Sequence, residues 1–266
     1  MGKGWPVPYD LAPFATQLST YAHIDADDRD AILSLPFVAR TVVGTRRIAY
    51  PGQTQIEFLV LLEGFSLRQK LTSSGDRSIS AVNIAGDALN TSAMFLNGID
   101  YEVMPISGAT VAVIPREATV ALFHDRPAIF AAVFSSLLVD ASIAREWLLN
   151  VSRRPSGTRV AHFLCEHATR MMGRGLAEDK TFDLGITQDQ LADVLGLTSV
   201  HINRTLRAME ADGLIDRRGR YYEIRDMVAL RAAADFKPSS LRLLVGTDRH
   251  FDDLSGVYGR SQPHNH

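Results

Sequence analysis

The chain has 266 residues, 46% of them hydrophobic and 22% charged, which is ordinary globular composition with length enough for two cores; disorder is not the default reading. A formal net charge of −2 excludes a polycation that coats nucleic acid or anionic membrane by bulk attraction, so any anion-binding surface must be local. The single cysteine, Cys165, excludes an intramolecular disulfide and a thiolate-rich iron–sulfur or structural zinc site, and it reads as a small apolar packing residue.

The acidity sits in the first half: residues 1–150 hold 11 Lys and Arg against 15 Asp and Glu, whereas residues 151–236 hold 13 against 12. MGKGWPVPYDLAPF lacks the apolar core of a signal peptide, and no unbroken run of 18 apolar residues occurs, so a soluble cytoplasmic protein with no membrane partner is expected. Residues 8–35 read as helices in pieces, with Asp25 capping the second and Pro36 ending it. From Phe37 to about Pro115 short β-branched runs alternate with turn residues: FVARTVV, IEFLVLLEG, FSLRQKLT, RSISAVNI, YEVMPI and ATVAVIP. That cadence predicts a small antiparallel barrel or sandwich.

Residues 126–152 then run without glycine and without an internal proline after Pro127, the longest helix the sequence predicts. Ile129, Val133, Leu137, Ile143 and Trp147 recur at spacings near three and four and form an apolar stripe. At 1.5 Å per residue the helix is about 40 Å long, more than a small barrel covers, so a second copy of the same helix is expected against those five residues. Pro155 suits the start of the next helix and places a domain boundary near 152–155. GRGLAEDK reads as a solvated loop, and in the tail, residues 237–266, the LRLLV stretch is apolar enough to pack in part.

The stretch TQDQLADVLGLTSVHINRTL carries the densest local signals. Thr187 and Gln190 form a capping box, Gly196 suits a left-handed helix end, and Thr198 caps a second helix, so the stretch encodes helix, tight turn, helix. At 100° per residue Ile202, Leu206 and Met209 share an inner face, leaving Val200, Asn203, Arg204 and Arg207 on the outer one. A guanidinium, an amide, a second cation and a small apolar surface suit guanine, adenine, phosphate and the thymine methyl in a major groove. LIDRRGRYYEI reads as a hairpin turning at Arg218 and Gly219, with Arg217, Arg218 and Arg220 at its tip to reach backbone phosphate, which makes a winged helix-turn-helix. The bland reading is a helical hairpin with a solvated basic face, but the cap, glycine, apolar triad and arginine wing occur together.

ITQDQLADVLGLTSVHINRTLRAMEADGLI, read with the strand cadence and the long helix, resembles the Crp/Fnr family of bacterial transcription regulators, and the likeness extends in element order over residues 20–236. The resemblance implies an α+β chain: a cyclic-nucleotide-binding-like double-stranded β-roll over 1–125, a dimerisation helix over 126–152, a winged helix-turn-helix over 153–236 and a tail over 237–266. It implies a cytoplasmic homodimer, not an enzyme, whose partners are double-stranded DNA with a two-fold symmetric operator, RNA polymerase and an effector of unknown identity, with no cofactor. Thr198, Ser199, Val200, His201, Asn203, Arg204, Arg207, Arg217, Arg218 and Arg220 are the implied DNA contacts, Arg204 matching the family's base-contacting arginine. His201, on a lateral face, touches phosphate or the protein.

Two departures stand out. Relatives that read the common half-sites often have glutamate where Val200 stands, and valine cannot accept a hydrogen bond from cytosine. The positions matching the family's cyclic AMP pocket are Asn90, Thr91, Ile99 and Asp100, where an isoleucine and an aspartate would face the phosphate, so cyclic AMP is not expected to bind there unless Arg68, Lys70 or Arg77 supply an anion site. His162, Cys165 and His167 do not share one helix face and read as packing rather than metal ligands, and His250, His264 and His266 as solvated. The alternative function is a non-DNA regulatory or scaffold module that binds a small molecule or partner protein through the β-roll.

Overall fold

The computed structural model describes residues 9–53 and 57–241. Residues 1–8 and 54–56, the LRLLV stretch after Leu241, and His250, His264 and His266 lie outside the described residues. Two short helices come first, α1 (Ala12–Ser19) and α2 (Ala26–Leu33). Asp25 caps α2 as expected, its Oδ1 accepting from the Asp28 amide at 2.7 Å.

Four strands follow, β1 (Val38–Val43), β2 (Glu57–Leu71), β3 (Arg77–Asn83) and β4 (Glu102–Pro115), in one antiparallel sheet of order β1-β4-β2-β3. The sequence predicts more and shorter strands. IEFLVLLEG and FSLRQKLT are one strand, and so are YEVMPI and ATVAVIP, because the glycines between them make bulges rather than turns. Register shifts fall at Leu61/Glu63 and Gly64/Phe65, where Gly64 takes a φ of +83 opposite the Ser107–Gly108 step. Each bulge adds an unpaired residue and bends the ribbon without ending the ladder. The bent sheet wraps an interior of Ile48, Leu59, Leu61, Ile99, Val103 and Val111, while α1, α2 and the residues after β4 close a second layer around Phe14, Phe58 and Ile114.

Helix α3 (Arg116–Asp125) leads into α4 (Pro127–Arg153), which has the length and mean hydropathy, 1.8, to cross a membrane by composition alone. Part of that apolarity is buried within the protein. Ile129 and Val133 pack with Phe14 and Phe58, and Ile143 and Trp147 pack with the helix that follows. This corrects the expected dimer stripe: Ile129, Val133, Ile143 and Trp147 are buried within the chain itself, and half-buried Leu137 lines a small polar void against the sheet. The face left open carries Phe130, Phe134, Leu138 and Leu148, with Leu138 57% exposed. Both faces of α4 are apolar, so periodicity alone cannot tell which one the protein's own sheet covers.

Helix α5 (Ser156–Gly173), strand β5 (Thr181–Asp183), α6 (Gln188–Leu195), α7 (Ser199–Ala211), strands β6 (Ile215–Arg218) and β7 (Tyr221–Ile224), and α8 (Met227–Ala234) complete the chain, with a second sheet of order β5-β7-β6. Their core of Val160, Leu164, Leu191, Ile202, Leu206, Ile224 and Leu230 does not stop at the first sheet. It continues through Leu67, Ile79, Val82 and Ile106 as one cluster. Gly185 sits at this junction with a φ of +74, and a Cβ there would lie 2.4 Å from the Phe65 ring, so only glycine permits the approach.

Candidate nucleic-acid interface

The helix pair is built by its caps. Thr187 Oγ1 accepts from the Gln190 amide at 3.1 Å while the Gln190 side chain accepts from the Thr187 amide at 2.9 Å, satisfying two donors that an uncapped α6 would leave open. Gly196 ends α6 in the left-handed region at φ +61, and the Leu197 amide closes the turn onto Ala192 carbonyl. Thr198 then caps α7, accepting from the His201 amide at 3.3 Å. Ile202, Leu206 and Met209 are buried beneath α7, and His201, Arg204 and Arg207 are exposed with Val200, which is 79% exposed.

The outer face is not uniformly open. Ser199 Oγ donates to Asp189 on α6, and Asn203, half-buried, donates from Nδ2 to Gln188 Oε1 at 3.1 Å. The amide expected to reach adenine is therefore engaged within the helix pair. His201 Nδ1 lies 3.2 Å from Thr198 Oγ1, a contact within the cap. Neither Arg204 nor Arg207 has a side-chain hydrogen bond or ion pair among the described residues; Arg207 lies close enough to Glu210 to help hold its carboxyl down, which leaves Arg204 the less committed of the two.

The wing differs in detail from its expected form. Arg218 and Tyr221 pair across the hairpin, so the two-residue turn is Gly219–Arg220 rather than Arg218–Gly219, with Gly219 at φ +65. The three arginines do not act alike. Arg217 grips Glu210 at the end of α7 through Nε at 2.9 Å and Nη2 at 2.5 Å, a bond that lowers the Glu210 pKa and raises that of Arg217. Arg220 donates from Nε to Asp183 at 2.7 Å, fixing the wing to β5. Arg218 alone projects without a partner among the described residues.

The four expected effector-pocket residues do not converge. Asn90 is buried and spends its side chain on the Leu59 amide and the Glu57 carbonyl, both at 2.9 Å. Ile99 belongs to the sheet interior, and exposed Asp100 pairs with Lys70 at 2.7 Å. Only Thr91 touches the polar void beside α4, which it shares with Gln17, Arg68, Asp87, Leu137 and Asp140 and which leaves about 10 Å³, room for one water. The three cations held in reserve are each engaged: Arg68 with Asp140, Lys70 with Asp100, Arg77 with Asp193.

Cys165, His162 and His167 are packing residues. Burial pushes the Cys165 thiol up to about 12, and it pushes His162 and His167 down to about 4. His162 Nδ1 meets the Asn150 amide at 3.1 Å, and His167 stacks on Phe163. Sequence reasoning missed a buried ion cluster between the two halves. Asp87, in the turn after β3, receives Arg170 Nη2 from α5 and Arg174 Nη2 from the residue that caps its end, each at 2.7 Å; burial raises its pKa, and the two guanidiniums outweigh that effect and hold it below the usual carboxylate range. Glu166, one turn earlier on α5, accepts from Trp147 Nε1 at 2.6 Å. With Asp87 and Arg170 83 positions apart, no local pattern reveals the pair.

Residues 158–233 match the Crp-like helix-turn-helix domain. Among curated relatives, the chain is 27% identical over 129 residues to the transcriptional activator protein FnrL of Cereibacter sphaeroides, covering 47% of this chain and 52% of that one. It is 28% identical over 155 residues to the transcriptional activatory protein AadR of Rhodopseudomonas palustris, covering 58% and 64%. The chain thus spans between half and two thirds of the length of these relatives. In fold it is similar to the solved structure of FixK2 from Bradyrhizobium japonicum, with a TM-score of 0.66 at 20% identity over 75% of this chain and 98% of that one.

Proposed function

We propose that this protein, which carries a Crp-like helix-turn-helix domain and resembles the Crp/Fnr regulators in sequence and in fold, is a sequence-specific DNA-binding transcription regulator that reads a two-fold symmetric operator as a homodimer. The observation that carries the reading is the outer face of α7: Val200, Arg204 and Arg207 stand clear of the protein on a helix whose inner face is fixed by Ile202, Leu206 and Met209. A rigid helix presenting exposed guanidiniums matches the groove-reading geometry of this motif class, and Arg218 on the wing supplies a phosphate contact.

The homodimer rests on the open face of α4. Phe130, Phe134, Leu138 and Leu148 are exposed on a 27-residue helix, and burying them against a second copy removes a large apolar surface from water. On this reading the further partner is RNA polymerase and the compartment is the bacterial cytoplasm. The cyclic AMP pocket has been replaced: its matching residues are spent on the fold or on Lys70, so any effector enters by other chemistry.

The test is a gel shift with the DNA upstream of the protein's own gene, titrated with salt. Retention by one sequence that survives moderate salt supports the reading. Weak, sequence-blind retention that salt abolishes overturns it.

A further inference from the structure

We infer that the dimer seam along α4 holds an anion site on its two-fold axis, formed by Arg145 of both copies, and that its ligand is a free tetrahedral dianion such as phosphate or sulfate. This rests on the reading of the open face of α4 as the homodimer interface, and it names a ligand class to which that dimer responds.

Phe134, Leu138, Ala141, Arg145, Leu148 and Ser152 are all exposed, and they follow one another at alternating spacings of four and three. At 100° per residue they fall within about 80° of arc, opposite buried Ile129, Ile143 and Trp147. A repeat of 3.5 residues is the signature of a two-stranded coil, in which every seam position packs on the facing helix. A two-fold operator needs both helix-turn-helix units at the same end of the dimer, so the two copies of α4 run parallel and Arg145 meets its own counterpart.

Arg145 is the charged member of that row, and α4 offers it no carboxylate. Asp140 holds Arg68 and Glu146 holds Arg154, each at 3.1 Å. Arg145 itself has no side-chain hydrogen bond or ion pair among the described residues. Two such cations that meet while losing water need a counter-charge from solution. Ala141, one turn earlier, leaves room beside them, and a groove of about 380 Å³ runs from Arg145 past the hydroxyls of Ser142, Ser135 and Tyr21. A tetrahedral oxyanion has a two-fold axis of its own, so it can sit on the dyad and give one pair of oxygens to each planar guanidinium. By linkage, its binding tightens the dimer and with it the grip on a two-fold operator.

The experiment is sedimentation equilibrium of the full chain in phosphate, in sulfate, and in chloride of equal ionic strength. At about 10 mM, phosphate or sulfate should lower the dimer dissociation constant about tenfold relative to chloride, the linkage of a site with a Kd of about 1 mM. Calorimetry should find one phosphate for every two chains. Arg145→Leu should dimerise more tightly than the parent in chloride and change less than about twofold in phosphate. Arg145→Lys keeps the charge and loses the fork, so its response should be weaker than the parent's. A dimer that ignores phosphate, even one that Arg145→Leu tightens, overturns the site and leaves the homodimer standing. An equal effect of chloride, or one phosphate for every chain, also overturns it. Tighter binding of glycerol 3-phosphate than of phosphate overturns the choice of a free ion. If the parent and Arg145→Leu stay monomeric in every salt, the homodimer reading fails as well.

Discussion

Arg170 on α5 and Asp87 in the turn after β3 meet at 2.7 Å, buried between the sheet and the helix-turn-helix, with Arg174 on the second carboxylate oxygen. Arg170 also donates to the Val82 carbonyl at 3.0 Å and Arg174 to the Ala85 carbonyl at 3.2 Å. Asp87→Asn leaves two buried guanidiniums without their shared counter-charge, and the expected cost is about 3–5 kcal/mol, measured by denaturant unfolding. Pairing it with Arg174→Met should recover part of that loss, because one of the stranded charges is gone; a purely additive result would show that the pair is not coupled.

The buried histidines and Glu166 give stability opposite slopes with pH. His162 and His167 titrate in the folded protein near 4 against an ordinary 6.5, so the stability they contribute is full above 6.5 and is lost as pH falls toward 4, up to about 3 kcal/mol each. Burial raises Glu166 to about 7 from 4.5 against the opposing pull of Arg170 and the Trp147 hydrogen bond, so its contribution is full below 4.5 and is lost as pH rises through 7. Two histidines outweigh one carboxyl, and stability should climb between pH 4 and 6.5. In Glu166→Gln the falling component is absent, so its unfolding free energy relative to the parent should increase from pH 4.5 to 7 and then level off.

Arg204→Ala should abolish specific operator binding while leaving the melting temperature within about 2 °C, since the side chain is exposed and makes no internal bond. A bidentate arginine–guanine contact is worth about 1–3 kcal/mol, and a symmetric dimer makes it twice. Retained sequence preference in fluorescence anisotropy would remove Arg204 from the reading face.

In the proposed homodimer, Phe134→Glu or Leu138→Glu would place two like charges face to face across an apolar helix pair. Sedimentation should show a monomer that retains its circular dichroism and no longer binds operator. A variant that remains a dimer would locate the interface away from α4.

Cyclic AMP should produce no heat in calorimetry and no change in DNA affinity. Asn90 is bonded into the sheet, Asp100 presents a carboxylate already paired with Lys70, and the void beside Thr91 has room for no more than one water. Micromolar binding that tightens operator binding would reverse this conclusion.

Local chemistry was legible in the sequence and distant packing was not. The caps at Asp25, Thr187 and Thr198, the left-handed Gly196 and the buried triad of α7 each depend on residues within four positions, and each is where the sequence puts it. The sequence predicts breaks where β2 and β4 have bulges, because glycine has the same signature in a turn and in a bent strand. The length of α4 predicts a second copy against its apolar stripe, but both faces of that helix are apolar, and periodicity does not tell which one the protein's own sheet covers. The pairings Arg217–Glu210 and Arg220–Asp183 join arginines that look alike in sequence to carboxylates brought near only by the fold.

The shared cluster that runs from Leu67, Ile79 and Val82 into Val160, Leu164 and Ile202 gives the two halves a common melting unit. Neither half can lose its core without stripping apolar neighbours from the other, so heat should unfold the chain in one calorimetric transition rather than two. A separately produced C-terminal half would carry the complementary surface into water, where it favours self-association over a stable autonomous reader.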